Sequence, residues 1–208
     1  MGRQNTNTYW ENRYAAGGNS GKGSYGKFAQ FKQEVLNALV EEFSIHSVVE
    51  FGCGDGSQLS HTEYPQYLGL DVAETAVTLC RERYNEDKTK SFEVYDSLET
   101  PSIPDAWKSD AALSLDVLYH LVEEEVFEKY LALLFGSAQQ FVIVFSTNRK
   151  QGGLYTAPHV YHRVFTQLVE ERYPEWELVR TIPHTMGRIR RFFGLAYPDF
   201  FVYRKRKN

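Results

Sequence analysis

Cysteine is scarce in this chain: two in 208 residues, Cys53 and Cys80, with no C-x-x-C spacing. Two thiols cannot build a disulfide framework or a cysteine-rich metal site, so a reducing, cytoplasmic setting is the expectation. Long apolar runs are also missing. Nothing approaches the roughly 20 residues that cross a bilayer, and the polar N-terminus has no secretory pattern, so no membrane span is expected. Net positive charge is absent too. At −4, with a pI near 5.9, the chain exerts no overall pull on nucleic acid. The local basic runs at 188–191 and 204–207 read as a solvated turn and a charged tail. Internal repeats and low-complexity tracts are lacking, apart from a Gly/Ser-rich stretch at 17–26. The opening Met-Gly-Arg-Gln-Asn-Thr fits a myristoylation spacing, but so short a match is set aside as chance.

What is present suits one globular domain over 1–208, with hydrophobic residues at 42% and aromatics at 15%. We expect N-terminal helices and a glycine-rich lid over 1–45, then a sheet core over 46–208. The organising stretch is Val48-Val49-Glu50-Phe51-Gly52-Cys53-Gly54-Asp55-Gly56, a buried strand running into three glycines at alternate positions. Glycine accepts positive φ and lets a ligand lie against bare backbone N–H groups. A second short strand, 67–71, ends in Asp71, 21 residues after Glu50. An acid at the tip of the second strand of a βαβ unit is placed to accept hydrogen bonds from both hydroxyls of a ribose.

That placement serves NAD and S-adenosylmethionine equally, and the turn itself separates them. A pyrophosphate needs the helix N-terminus open to it, whereas here Asp55 puts a negative charge there. An acid in that turn suits a ligand with an ammonium and a sulfonium. With E-x-G-C-G-D-G at 50–56, the chain resembles the class I S-adenosylmethionine-dependent methyltransferases.

The remaining periodicity predicts a short helix over 8–14, a helix over 28–43, a helix opened by the glycine turn, and helices over 73–84, 123–135 and 160–173. Strands are expected at 47–51, 67–71, 92–95, 111–115, 141–145, 176–182 and 200–203. The strand at 141–145 is apolar throughout, as a central parallel strand should be. The last two strands have no helix between them and must pair antiparallel. The result is an α/β, three-layer Rossmann-like methyltransferase fold with a seven-stranded, mostly parallel sheet and one antiparallel strand.

Four of the five parallel strands end in or beside a carboxylate, at Glu50, Asp71, Asp96 and Asp116. The resemblance implies that Glu50, Gly52, Cys53 and Gly54 form the cofactor turn, that Asp71 holds the ribose and that Val72 packs on the adenine. It also implies that Asp96 or Ser97 reads the adenine amino group and that Leu115 or Asp116 lies under the sulfonium. Tyr9, Tyr14, Ser24 and Tyr25 are the implied contacts to the amino-acid end. Each acid has a plainer alternative as a helix cap, and Cys53 as a small residue that fits the turn.

Methyl transfer to a hydroxyl also needs a base, and histidine is the usual one near neutral pH. His120 follows the fourth strand; His159 and His162 follow the fifth, where the expected helix would put them on one face. The sequence leaves the choice among them open and marks no third metal ligand. Arg163 reads either as a clamp for an anionic or sugar-phosphate acceptor or as a solvated helix arginine.

The expectation is a small-molecule methyltransferase acting on oxygen of a sugar, a lipid-linked intermediate or a secondary metabolite. Nucleic acid is disfavoured, because Asp116-Val117-Leu118-Tyr119 stands where base-methylating enzymes carry Asn-Pro-Pro-Tyr or Asp-Pro-Pro-Tyr. A homodimer is kept open. A Rossmann-type NAD or nucleotide-sugar oxidoreductase would share the strand-end acids, and a non-catalytic cofactor-binding partner protein would lack an acceptor cavity.

Overall fold

In the computed structural model, residues 5–100, 102–152, 157–184 and 197–207 are described. Seven strands form one sheet: β1 (Ser47–Phe51), β2 (Gln66–Asp71), β3 (Lys90–Val94), β4 (Ser109–Leu115), β5 (Ala138–Ser146), β6 (Trp176–Ile182) and β7 (Asp199–Lys205), in the order β3-β2-β1-β4-β5-β7-β6. The first five pair in parallel, and β7 runs antiparallel between β5 and β6. This is the class I methyltransferase arrangement.

Strand alternation builds the layers. Val49, Phe51, Val142 and Val144 join a core beneath α4 (Glu124–Ser137) and α5 (Phe165–Arg172). Their neighbours Val48, Phe141, Ile143 and Phe145 join the opposite core with α2 (Gly26–Phe43) and α3 (Glu74–Arg83). Side chains on a strand point alternately to the two faces, so a strand apolar at every position needs helices on both sides. Helix α1 (Thr6–Ala15) packs against α3 beyond the carboxyl ends of the strands.

Two expected helices are corrected. The glycine turn opens no α-helix; only a 3-10 turn, Leu59–His61, lies between β1 and β2. Nine residues separate Gly56 from the start of β2, and Pro65 pushes Tyr64 toward extended backbone. With both of its connections to be made within those nine residues, the segment holds only the short 3-10 turn.

The helix expected over 160–173 begins only at Phe165. Before it, Tyr161 N–H donates to the Tyr119 carbonyl at 2.7 Å, His162 N–H to Gln151 Oε1 at 2.7 Å, and Arg149 N–H to the Arg163 carbonyl at 3.1 Å. Backbone groups engaged by distant partners cannot close a helical turn. Elsewhere the differences are shifts of one or two residues, except β5, which begins three residues early. Residues 188–191 lie outside the described residues, as do Tyr155 and Thr156. Among the described residues no helix is long and apolar enough to cross a membrane.

Candidate active site

The carboxyl ends of β1 to β5 open onto a cavity of about 350 Å³, roofed by α1 and the glycine-rich segment after it. Small-molecule sites hold roughly 300–1,000 Å³. Gly52, Gly54 and Gly56 all have positive φ, at +85°, +58° and +72°. Gly52 and Cys53 N–H groups donate to the Leu70 carbonyl at 2.7 and 3.1 Å, which ties the turn to β2. At Gly54 the space is tightest: a Cβ would sit 2.8 Å from the Tyr14 hydroxyl and closer still to Ser20 Oγ. Only glycine allows that approach.

Asp71 lines the cavity and accepts a backbone N–H on each oxygen, Gly54 on one at 2.8 Å and Ala73 on the other at 2.9 Å. Burial raises its pKa to about 6, against the pull of those amides. Each oxygen keeps a lone pair for a ligand hydroxyl. Glu50, one layer deeper, takes the Tyr67 hydroxyl at 2.7 Å; burial raises it to about 7, opposed by Tyr67 and Lys32. Val72, Ser97, Leu115, Gly52, Cys53 and Gly54 also line the space. Contact with Cys80 and burial hold the Cys53 thiol well above its ordinary range, so it stays protonated and is no nucleophile.

Asp55 faces the glycine-rich segment. It accepts Ser20 N–H at 3.2 Å, the Tyr25 hydroxyl at 2.9 Å and Ser57 N–H at 3.0 Å. Burial alone would raise its pKa; these bonds outweigh it and hold the carboxyl below the ordinary value. The segment over 17–26 is therefore fastened to the turn, and Ser20, Ser24 and Tyr14 line the cavity.

Four of the candidate residues lie outside the lining. Tyr25 is exposed and turned to Asp55. Tyr9 stacks on His159 with ring centroids 5.0 Å apart. Asp96 has both oxygens engaged, by the Asn7 side chain and Leu98 N–H, each at 2.8 Å, and so fastens α1 to the end of β3. His162 turns away, its Nδ1 2.8 Å from Thr147 Oγ1.

His120 and His159 both line the cavity, stacked with centroids 5.4 Å apart. His120 Nδ1 lies 3.0 Å from the His159 carbonyl oxygen. A carbonyl only accepts, so Nδ1 carries the hydrogen and Nε2 is the unprotonated nitrogen. Burial lowers the His120 pKa to about 4, so the ring is neutral at physiological pH. Arg163 is occupied elsewhere: it bonds Glu124 at 2.9 Å and the Leu121 carbonyl at 2.7 Å, and lies over the Phe127 and Tyr161 rings. It fastens the histidine loop to α4 and is not an acceptor clamp.

The residue the sequence reading missed is Lys32. It is buried on the sheet-facing side of α2, with Nζ 2.8 Å from Asp116 Oδ2; the Tyr119 hydroxyl donates to Oδ1 at 2.7 Å. Asp116 sits at φ +62°, a left-handed position at the tip of β4. In the apolar run of 28–43, a lysine between Phe31 and Val35 was the available signal.

A family model described as a methyltransferase domain matches residues 49–134. Among solved structures, magnesium protoporphyrin IX methyltransferase from Synechocystis PCC 6803 with bound S-adenosylhomocysteine is 19% identical, over 98% of this chain and 97% of that one, with a TM-score of 0.65. The N-methyltransferase NodS from Bradyrhizobium japonicum WM9, also with S-adenosylhomocysteine, is 13% identical over 98% and 100%, with a TM-score of 0.69. The methyltransferase domain of bacterial CtHen1 is 20% identical over 86% and 98%, with a TM-score of 0.66. No curated protein matches the chain.

Proposed function

We propose that the chain is a class I S-adenosylmethionine-dependent methyltransferase that methylates an oxygen of a small molecule with His120 as the base. One observation carries this reading: a neutral imidazole in the cavity, its tautomer set by a backbone carbonyl and its Nε2 left to accept a proton. The site fits the cofactor chemically. Asp71 would take the ribose hydroxyls, the bare turn at Gly52 to Gly54 would lie along the amino-acid end, and Glu50 would attract the ammonium.

When bound, the cofactor supplies an electrophilic methyl group on a sulfonium. This chain's residues do the rest. His120 Nε2 accepts the hydroxyl proton as the acceptor oxygen is methylated, and Trp10 and Tyr119, packed edge-on and tilted against its ring, hold it in place. The segment over 17–26 acts as the lid that excludes water. The whole chain works as one domain, with a small molecule as its partner and nucleic acid disfavoured.

Replacing His120 by Ala should lower kcat by roughly 10²–10⁴-fold, with S-adenosylhomocysteine affinity unchanged by calorimetry. His162→Ala should have little effect. Full turnover in the His120 variant would show that the acceptor needs no such base. Because burial holds His120 near pH 4, the acid limb of kcat should lie there, well below the ordinary histidine range.

A further inference from the structure

Arg13 is a cavity-lining cation that has no carboxylate partner among the described residues. Among the described residues the arginines in ion pairs are Arg163, Arg172 and Arg180; Arg13 makes none. Its Nε donates to the Asn19 carbonyl at 2.7 Å, which orients the guanidinium and leaves both Nη groups to donate. The group lies over the Trp10 ring, with Cζ 5.7 Å from the centroid, and Trp10 meets His120 edge-on at 5.1 Å. Arg13 lines the cavity with both histidines, and its charge disfavours a proton on either ring. Lys22 adds a second cation to the same lining.

The nearby acids Asp116, Glu11 and Glu123 have partners other than Arg13, Glu123 taking the hydroxyl and N–H of Thr6. Asp116 is held by Lys32 and Tyr119, and Glu11 accepts both the hydroxyl and the N–H of Thr75. Arg13 and Lys22 therefore bring positive charge to the cavity lining, while its glycine turn carries Glu50 and the end of β2 carries Asp71. A planar guanidinium on an aromatic face, with paired N–H groups unused, recognises carboxylate and phosphate by two-point hydrogen bonding.

We propose that Arg13 anchors an acceptor that carries a carboxylate or phosphate group beside the hydroxyl to be methylated. This rests on the reading of His120 above and names the substrate class for that same site. The aromatic walls of Trp10, Tyr119, His120 and His159 suit a planar body between anion and hydroxyl.

The experiment begins with S-adenosylhomocysteine titrated into the wild-type protein, Arg13→Met and Arg13→Lys. Equal affinity is expected. No binding to wild type would undo the cofactor reading itself; a loss confined to the Arg13 variants would assign Arg13 to the cofactor's own carboxylate and overturn the inference. The saturated complexes are then titrated with 4-hydroxybenzoate, 4-hydroxyphenyl phosphate and 4-hydroxybenzamide.

At least one anion should bind wild type about tenfold or more tightly than the neutral amide, as a charge-assisted pair implies. Which one does so separates carboxylate from phosphate. The preference should vanish in Arg13→Met and survive in part in Arg13→Lys. Amide binding as tight as both anions, no binding of either anion, or a preference that persists in Arg13→Met would each overturn the inference. As a readout free of acceptor, the His120 ring, which faces Arg13, His159 and Asp116, should titrate at higher pH by NMR in Arg13→Met.

Discussion

Asp71 has two duties in one carboxylate. It ties the glycine turn to the tip of β2 through the N–H groups of Gly54 and Ala73, and it presents the remaining lone pairs to the cavity. Asp71→Ala should weaken S-adenosylhomocysteine binding by roughly 1–3 kcal/mol, the loss expected for a buried charged acceptor; unchanged affinity in calorimetry would remove the ribose role. Glu50 makes a prediction of a different sign. Its folded pKa, about 7, lies above the ordinary 4.5 because of burial. The folded state therefore holds the proton more tightly than the unfolded state, so the Glu50 contribution to stability is fully present below about pH 4.5 and is lost as pH rises toward 7. Glu50→Gln keeps an acceptor for the Tyr67 hydroxyl and removes the charge. It should raise the melting temperature at pH 8 by several degrees, change it little at pH 4, and flatten the slope between. An unaltered pH slope in calorimetric melts would mean that Glu50 does not titrate in this window.

Among elements, the join that matters is between α2 and the loop after β4. Lys32 and Asp116 make it, with Tyr119 as third member. Removing one partner of a buried pair strands the other charge, at a cost of about 3–5 kcal/mol. Lys32→Met should therefore destabilise strongly in urea melts, and Lys32→Met combined with Asp116→Asn should recover part of the loss. Strict additivity of the two single changes would show that the pair is uncoupled. This join was not legible in the sequence, because the helical period of 28–43 marks which face is apolar and is silent on a single lysine reaching across to another strand's end. The shortened helix over 160–173 has a related cause. Periodicity records what a segment favours alone, and Tyr161, His162 and Arg163 are engaged by Tyr119, Gln151 and Arg149 from elsewhere in the chain.

At the scale of the whole molecule, the cavity is where elements far apart in sequence meet: α1, the glycine turn, the ends of β2 and β4, and the loop bearing His159. A ligand held by all of them should stabilise the fold as a unit. At 100 times its dissociation constant, S-adenosylhomocysteine should contribute about 2.7 kcal/mol, or roughly 5–11 °C in melting temperature. A shift absent with S-adenosylhomocysteine and present with NAD would contradict the cofactor. The sequence by itself determined the strand succession, the antiparallel last strand, the alternating glycines and the acid after β2. Each of these is a local matter of period, backbone sterics or connection length, written within a few residues. The tertiary structure alone decided which histidines face the cavity, that Arg163 is paired with a carboxylate while Arg13 is not, and that Asp116 answers Lys32. The contacts of His120, Arg163 and Lys32 join residues 39 to 84 positions apart, and distance along the chain carries no direction in space.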